Sequence, residues 1–67
     1  MTILLNNRPE QFDADELSVS KIMEQKSFHF KLLVVKLNEK LIDKRAYSST
    51  FVREGDHLMI IHLVSGG

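Results

Sequence analysis

Residues 58–67 constrain this chain most: Leu58-Met59-Ile60-Ile61-His62-Leu63-Val64 runs directly into Ser65-Gly66-Gly67. An apolar, β-branched-rich run reads as a strand near the middle of a sheet, where both of its faces find neighbours. Ser-Gly-Gly has the opposite character, with almost no side chain to pack and no preferred backbone conformation. A core strand feeding bare glycines is an anchor followed by an arm, so the expected working group is the carboxylate at Gly67. Side-chain alternation sorts the strand itself: Leu58 and Ile60 face one way, and Met59, Ile61 and Leu63 face the other.

Length narrows the architecture further. A 67-residue chain buries only ~60% of its unfolded surface and gains just ~3–5 kcal/mol from a single core. The expectation is one domain over residues 1–67, with 65–67 as a flexible tail and little room for an enclosed active site. The hydrophobic fraction of 43% suffices for such a core, and the absence of cysteine rules out disulfides, thiolate metal sites and cysteine nucleophiles. Nine basic residues balance nine acidic ones, so no net field draws the chain to nucleic acid or to an anionic membrane. Neither a signal-peptide apolar region nor a bilayer-spanning run is present, which makes the cytoplasm the expected compartment.

Taken in order, Thr2-Ile3-Leu4-Leu5 is a short strand closed by Asn6-Asn7, residues that tolerate the positive φ of a tight hairpin turn. The return strand begins at Pro9, which cannot donate to a ladder and so belongs on a sheet edge, and Phe12 points inward. From Asp15 the period becomes helical: Leu17, Val19, Ile22 and Met23 form the apolar stripe, Ser18 caps, and the helix runs to about Lys26. Ser27 to Lys31 connects to a second strong strand, Leu32–Leu37. Asn38-Glu39-Lys40 then turns the chain into a short return over Leu41–Asp43. Lys44 to Arg53 has no sustained period; Tyr47, Phe51 and Val52 are expected to plug the core, with a helical turn around Ser48 to Thr50. Glu54-Gly55-Asp56 turns the chain into the last strand. Hairpin, helix, hairpin, connector and strand describe an α+β domain, with one main helix across one face of a mixed sheet of about five strands. The last strand is expected in the middle, parallel to the first.

Other chemistry-bearing residues have plainer explanations. His57 and His62 lie an odd number of positions apart on one strand and face opposite sides, so with His29 they make no metal site, and each is expected to be solvated or hydrogen-bonded. Asp13, Asp15 and Glu16 precede the helix and suit capping and dipole complementarity better than acid/base catalysis. Lys36, Lys40, Lys44 and Arg45 are the only basic concentration; without interleaved aromatics they read as a solvated face, with an acidic partner enzyme as the next possibility. Phe28 and Phe30 read as core cover. No phosphate-binding glycine loop or catalytic triad spacing occurs. The second apolar set on the last strand, Met59, Ile61 and Leu63, is left without helix cover and, with Val64 next to it in sequence, suits a partner surface at the root of the tail.

The opening Ile3-Leu4-Leu5-Asn6, the helix start Ser18-Val19, the hairpin from Val35 to Ile42, the turn Glu54-Gly55-Asp56 and the closing Gly66-Gly67 together resemble the ubiquitin-like sulfur carriers, most closely those of thiamine biosynthesis. The resemblance covers essentially the whole chain and implies a β-grasp fold. It also implies a non-enzymatic carrier acted on by partners. An E1-like adenylyltransferase using magnesium and ATP would adenylate Gly67, and a cysteine desulfurase route would replace AMP with sulfur. The resulting thiocarboxylate would supply thiazole synthase, with Gly66 and Ser65 as the tail that reaches the enzyme and no cofactor bound by the carrier. The ending Val64-Ser65-Gly66-Gly67 is also similar to that of the molybdopterin-synthase small subunit, so another sulfur carrier or a modifier stays open. A small binding module with incidental glycines is the reading of a different class.

Overall fold

The computed structural model describes residues 1–28 and 33–63. The first hairpin comprises β1 (Thr2–Leu5) and β2 (Arg8–Gln11), joined through Asn6 and Asn7 at φ 52° and 68°. Positive φ at both central residues is the signature of a hairpin turn whose twist matches its strands. The second hairpin repeats the device: β4 (Leu33–Leu37) and β5 (Lys40–Ile42) are joined through Asn38 and Glu39 at φ 51° and 70°. Its turn has two residues rather than the three expected. Pairing of Leu37 with Lys40 leaves only Asn38 and Glu39 to close the loop.

The closing strand β7 (His57–His62) lies at the centre of a five-stranded sheet of order β2-β1-β7-β4-β5. It runs parallel to β1 and antiparallel to β4, which makes the sheet mixed, as expected. Pro9 sits on the edge strand β2, where its missing N–H removes nothing from the ladder. Gly55, at φ 83°, supplies the positive φ of the turn into β7.

Helix α1 (Val19–Gln25) is capped by Ser18, whose hydroxyl accepts from Lys21 N at 3.1 Å. Its Val19 and Ile22 are fully buried, and they meet Ile3, Leu5, Phe12, Val35, Leu58 and Ile60 in one apolar cluster. A Lys26–Glu10 ion pair at 3.1 Å ties the end of the helix to β2. The described residues thus place the core between this helix and the inner face of the sheet.

Four expectations need correction. Leu17 and Glu16 lie in a strand, β3 (Glu16–Ser18), which pairs antiparallel with β6 (Phe51–Arg53) as a small second sheet. The first turn of the helix therefore carries no acid. Its free N–H groups are met instead by the connector, with Val19 N donating to Thr50 O at 2.9 Å and Ser20 N to Tyr47 O at 3.1 Å. Glu16 reaches Arg53 across the small sheet at 3.3 Å. The helical turn in the connector comes early, over Lys44–Ala46, because Asp43 caps it by accepting from Arg45 N at 2.8 Å. Phe51 is 45% exposed rather than in the core, since the pairing of β6 turns Val52 inward and its neighbours outward. Tyr47 and Val52 do pack as expected.

Candidate functional site

Strand parity gives the sheet two different faces. Leu58 and Ile60 of β7 are 0% and 4% exposed and point toward the helix, whereas Ile61 and the following Leu63 are 40% and 46% exposed. Met59, half-buried, lies on the outer face with Ile61. Register extends this face sideways. Val34 pairs with Ile61 and Lys36 with Met59 across β4 and β7, Leu41 pairs with Lys36 across β5, and Leu4 pairs with His57 across β1. Leu4 and Leu41 are exposed, so an apolar surface runs over β1, β7, β4 and β5. No element of the described chain covers it.

Both hairpin turns grip the strand that leads to this surface. The Asn6 side-chain oxygen accepts from Ile60 N at 2.8 Å, and the Asn38 oxygen accepts from His57 N at 2.9 Å. Asn38 also donates through its amide nitrogen to Asp56 at 3.1 Å, while the other Asp56 oxygen accepts from Arg53 N at 2.8 Å. The first half of β7 is thereby held from both neighbouring strands.

The expected basic concentration is divided by the fold. Lys36 stands on the outer face, and Lys40, paired with Leu37, falls on the other side of β5. Arg45 turns back to Asp43, its Nε 3.3 Å from the carboxylate. The Arg45 backbone N–H and guanidinium both stabilise the charged form and hold the Asp43 carboxyl below the usual carboxylate range. Partial burial pushes the Tyr47 phenol up, with the Asp43 charge as a smaller cause.

Of the residues assigned to the site from sequence, Met59 and Ile61 lie on the outer side of the sheet, and Leu63, just past the end of β7, is exposed. Val64, Ser65, Gly66 and Gly67 lie outside the described residues, as do His29, Phe30, Lys31 and Leu32. His57 departs from expectation: its Nε2 is buried without a hydrogen-bond partner, Leu4 across the ladder having no acceptor to offer. Sequence reasoning did not name Leu4, Val34, Lys36 or Leu41 for this face. The parity of each strand held the signal, but only register shows that these residues share a side with Met59 and Ile61. Among the described residues no group of three or more His, Asp or Glu is placed to hold a metal, and no helix is long and apolar enough to cross a membrane. Two open depressions, one lined by Met1, Gln11, Phe12 and Asp13 and the other by Ser20, Met23, Glu24, Phe28 and Tyr47, include no residue of β7.

The family model for the ThiS family matches residues 3–67. The chain belongs to the ThiS family. A crystal structure of a thiamine biosynthesis protein (ThiS) from Geobacter metallireducens superimposes with a TM-score of 0.89 at 25% identity, over 100% of both chains. A solution structure of a thiamine biosynthesis protein from the same organism gives a TM-score of 0.81 at 25% identity, covering 100% of this chain and 88% of the other. No curated protein matches. The five-stranded mixed sheet with its single helix is the β-grasp of ThiS, and this ThiS-family chain is a ubiquitin-like sulfur carrier by membership.

Proposed function

We propose that the chain carries sulfur for the thiazole moiety of thiamine as a thiocarboxylate on Gly67. The observation that carries this reading is the family match, which runs through Gly66 and Gly67. The placement of β7 at the centre of the sheet supports it, because that strand leads straight into the glycines.

A carboxylate is a poor electrophile until one of its oxygens becomes a leaving group. In the proposed cycle the Gly67 carboxylate attacks the α-phosphorus of ATP on an E1-like adenylyltransferase. Pyrophosphate leaves, and magnesium on that enzyme balances the phosphate charge. Persulfide sulfur from a cysteine desulfurase route, reduced to hydrosulfide by a thiol that is itself oxidised to a disulfide, then attacks the acyl carbon as AMP leaves, and the resulting thiocarboxylate gives that sulfur to thiazole synthase. The contribution of the chain is access: glycine at 66 and 67 presents no side chain to a narrow channel and adopts whatever backbone the enzyme imposes. The outer face bearing Met59 and Ile61, with Leu63 and Val64 next in sequence, provides the docking surface, and the carrier itself holds no catalytic group or cofactor.

Intact-mass measurement tests this directly. Incubation with the adenylyltransferase, ATP, magnesium and the sulfur donor is expected to raise the mass by the difference between sulfur and oxygen, and deletion of Gly67 is expected to abolish the change while leaving the circular dichroism spectrum intact. An unchanged wild-type mass beside an enzyme active on another carrier rejects the reading.

A further inference from the structure

The outer face of the five-stranded sheet is mostly apolar and carries one charged side chain among its described strand residues. Following the register from edge to edge, β2 contributes Pro9 and Gln11, β1 Thr2 and Leu4, β7 His57, Met59 and Ile61, β4 Val34 and Lys36, and β5 Leu41. Lys36 is thus the only Lys, Arg, Asp or Glu among the described strand residues on that side. It is exposed, and its cross-strand neighbours are Met59 on one side and Leu41 on the other. Directly opposed side chains in a sheet stand about 4.5–5.5 Å apart at Cβ, so the ammonium emerges from apolar surroundings.

Three carboxylates in the loops that flank these strands are already engaged. Asp43, one position beyond the end of β5, accepts from the Arg45 backbone and side chain at 2.8 and 3.3 Å. Asp56 accepts from Asn38 and from the Arg53 backbone at 3.1 and 2.8 Å. Glu54 accepts from Thr2 N at 2.9 Å. Each of these hydrogen bonds goes to a group other than Lys36. Whatever covers this face must therefore bring its own anion, because a buried ammonium without a partner is strongly unfavourable.

That requirement selects the occupant. A second copy of this chain, packed face to face, would set Lys36 against an apolar surface or against the other Lys36, with no acid on the face to receive either. We infer that Lys36 is a specificity determinant, and that the face docks a protein surface that is apolar at its centre and carries a carboxylate seated over Lys36. The inference rests on the carrier reading above and takes the adenylyltransferase as the partner that bears this carboxylate.

The test compares wild type with Lys36→Arg, Lys36→Met and Lys36→Glu in adenylation by that enzyme, measuring KM for the carrier, kcat and the dependence of both on ionic strength. Lys36→Met is decisive, since it keeps an apolar stem and removes the charge. Docking by apolar contact alone would leave its KM unchanged or lower, whereas an opposing carboxylate left unpaired raises KM several-fold. Lys36→Glu is expected to raise KM on the order of tenfold or more with kcat little changed, and Lys36→Arg to stay near wild type. The wild-type KM should rise with salt, and that dependence should flatten in Lys36→Met. Equal KM values for wild type, Met and Glu, or a wild-type dimer in sedimentation that Lys36→Met strengthens, would overturn the inference while leaving the carrier reading intact. Failure of the wild type to gain sulfur in the mass experiment would remove the carrier reading, and the inference with it.

Discussion

Asn6 and Asn38 each do two jobs with one residue. Both occupy the left-handed region at the first position of a hairpin turn, at φ 52° and 51°. Both also offer a side-chain oxygen to an N–H of the closing strand. Asparagine tolerates positive φ better than other side-chain-bearing residues, and its carbonyl can accept where the neighbouring ladder has run out. The turn role was legible from the Asn6-Asn7 pair; the reach to Ile60 was not, because a contact between residues 54 positions apart leaves no local pattern. Substitution separates the two roles. Asn6→Gly keeps the backbone geometry and leaves the part-buried Ile60 N–H unmet, with an expected loss of about 1–3 kcal/mol. Asn6→Ala adds backbone strain to that loss. Urea denaturation of both variants checks the order, and a glycine variant as stable as wild type would show that the side-chain bond contributes nothing.

The elements that were readable from sequence are those whose own pattern exceeds a turn. Ser18, Val19 and Ile22 announced the helix, and alternation sorted β7 into Leu58 and Ile60 within and Met59 and Ile61 without. β3 and β6 were not readable: each has three residues and one inward hydrophobe, Leu17 or Val52, too short a run to show a period of two. Their pairing is decided by the rest of the fold. The end of α1 falls where expected, with Lys26 as its C-cap, although no glycine follows it. Ser27 takes φ 60° there; its N–H donates to Glu24 O at 3.2 Å and the N–H of Phe28 to Met23 O at 2.8 Å. These are the two bonds of a Schellman cap, a position where glycine is normally preferred. Ser27→Gly is therefore expected to stabilise the domain by about 0.5–1 kcal/mol, relief of left-handed strain outweighing the added freedom of the unfolded chain. A higher midpoint in chemical denaturation at unchanged slope is the outcome that supports this.

At the scale of the whole molecule, one side of the sheet is packed against the helix and the other is left exposed among the described residues. The inner face holds the buried Ile3, Leu5, Val35, Leu58 and Ile60, while the outer face leaves Leu4, Leu41 and Ile61 exposed. A charge placed on the outer face should therefore separate folding from function. Ile61→Glu and Met59→Glu are expected to keep a cooperative thermal transition close to that of wild type while adenylation by the partner enzyme falls at least tenfold, since a carboxylate would have to be buried in an apolar interface. Wild-type adenylation kinetics in both variants would move the docking surface elsewhere. How far this face was legible depended on the strand: Met59 and Ile61 followed from alternation alone, whereas Leu4, Val34, Lys36 and Leu41 needed register, which no single strand encodes.

The central seat of β7 also decides how the domain responds to tension. Hydrogen bonds between strands run across the chain direction, parallel or antiparallel, and β7 has such bonds on both sides. A pull along the strand from its Leu63 end loads the two rows together, in shear, where an edge strand would have a single row to resist it. Tension on that end is shared by both neighbours of β7.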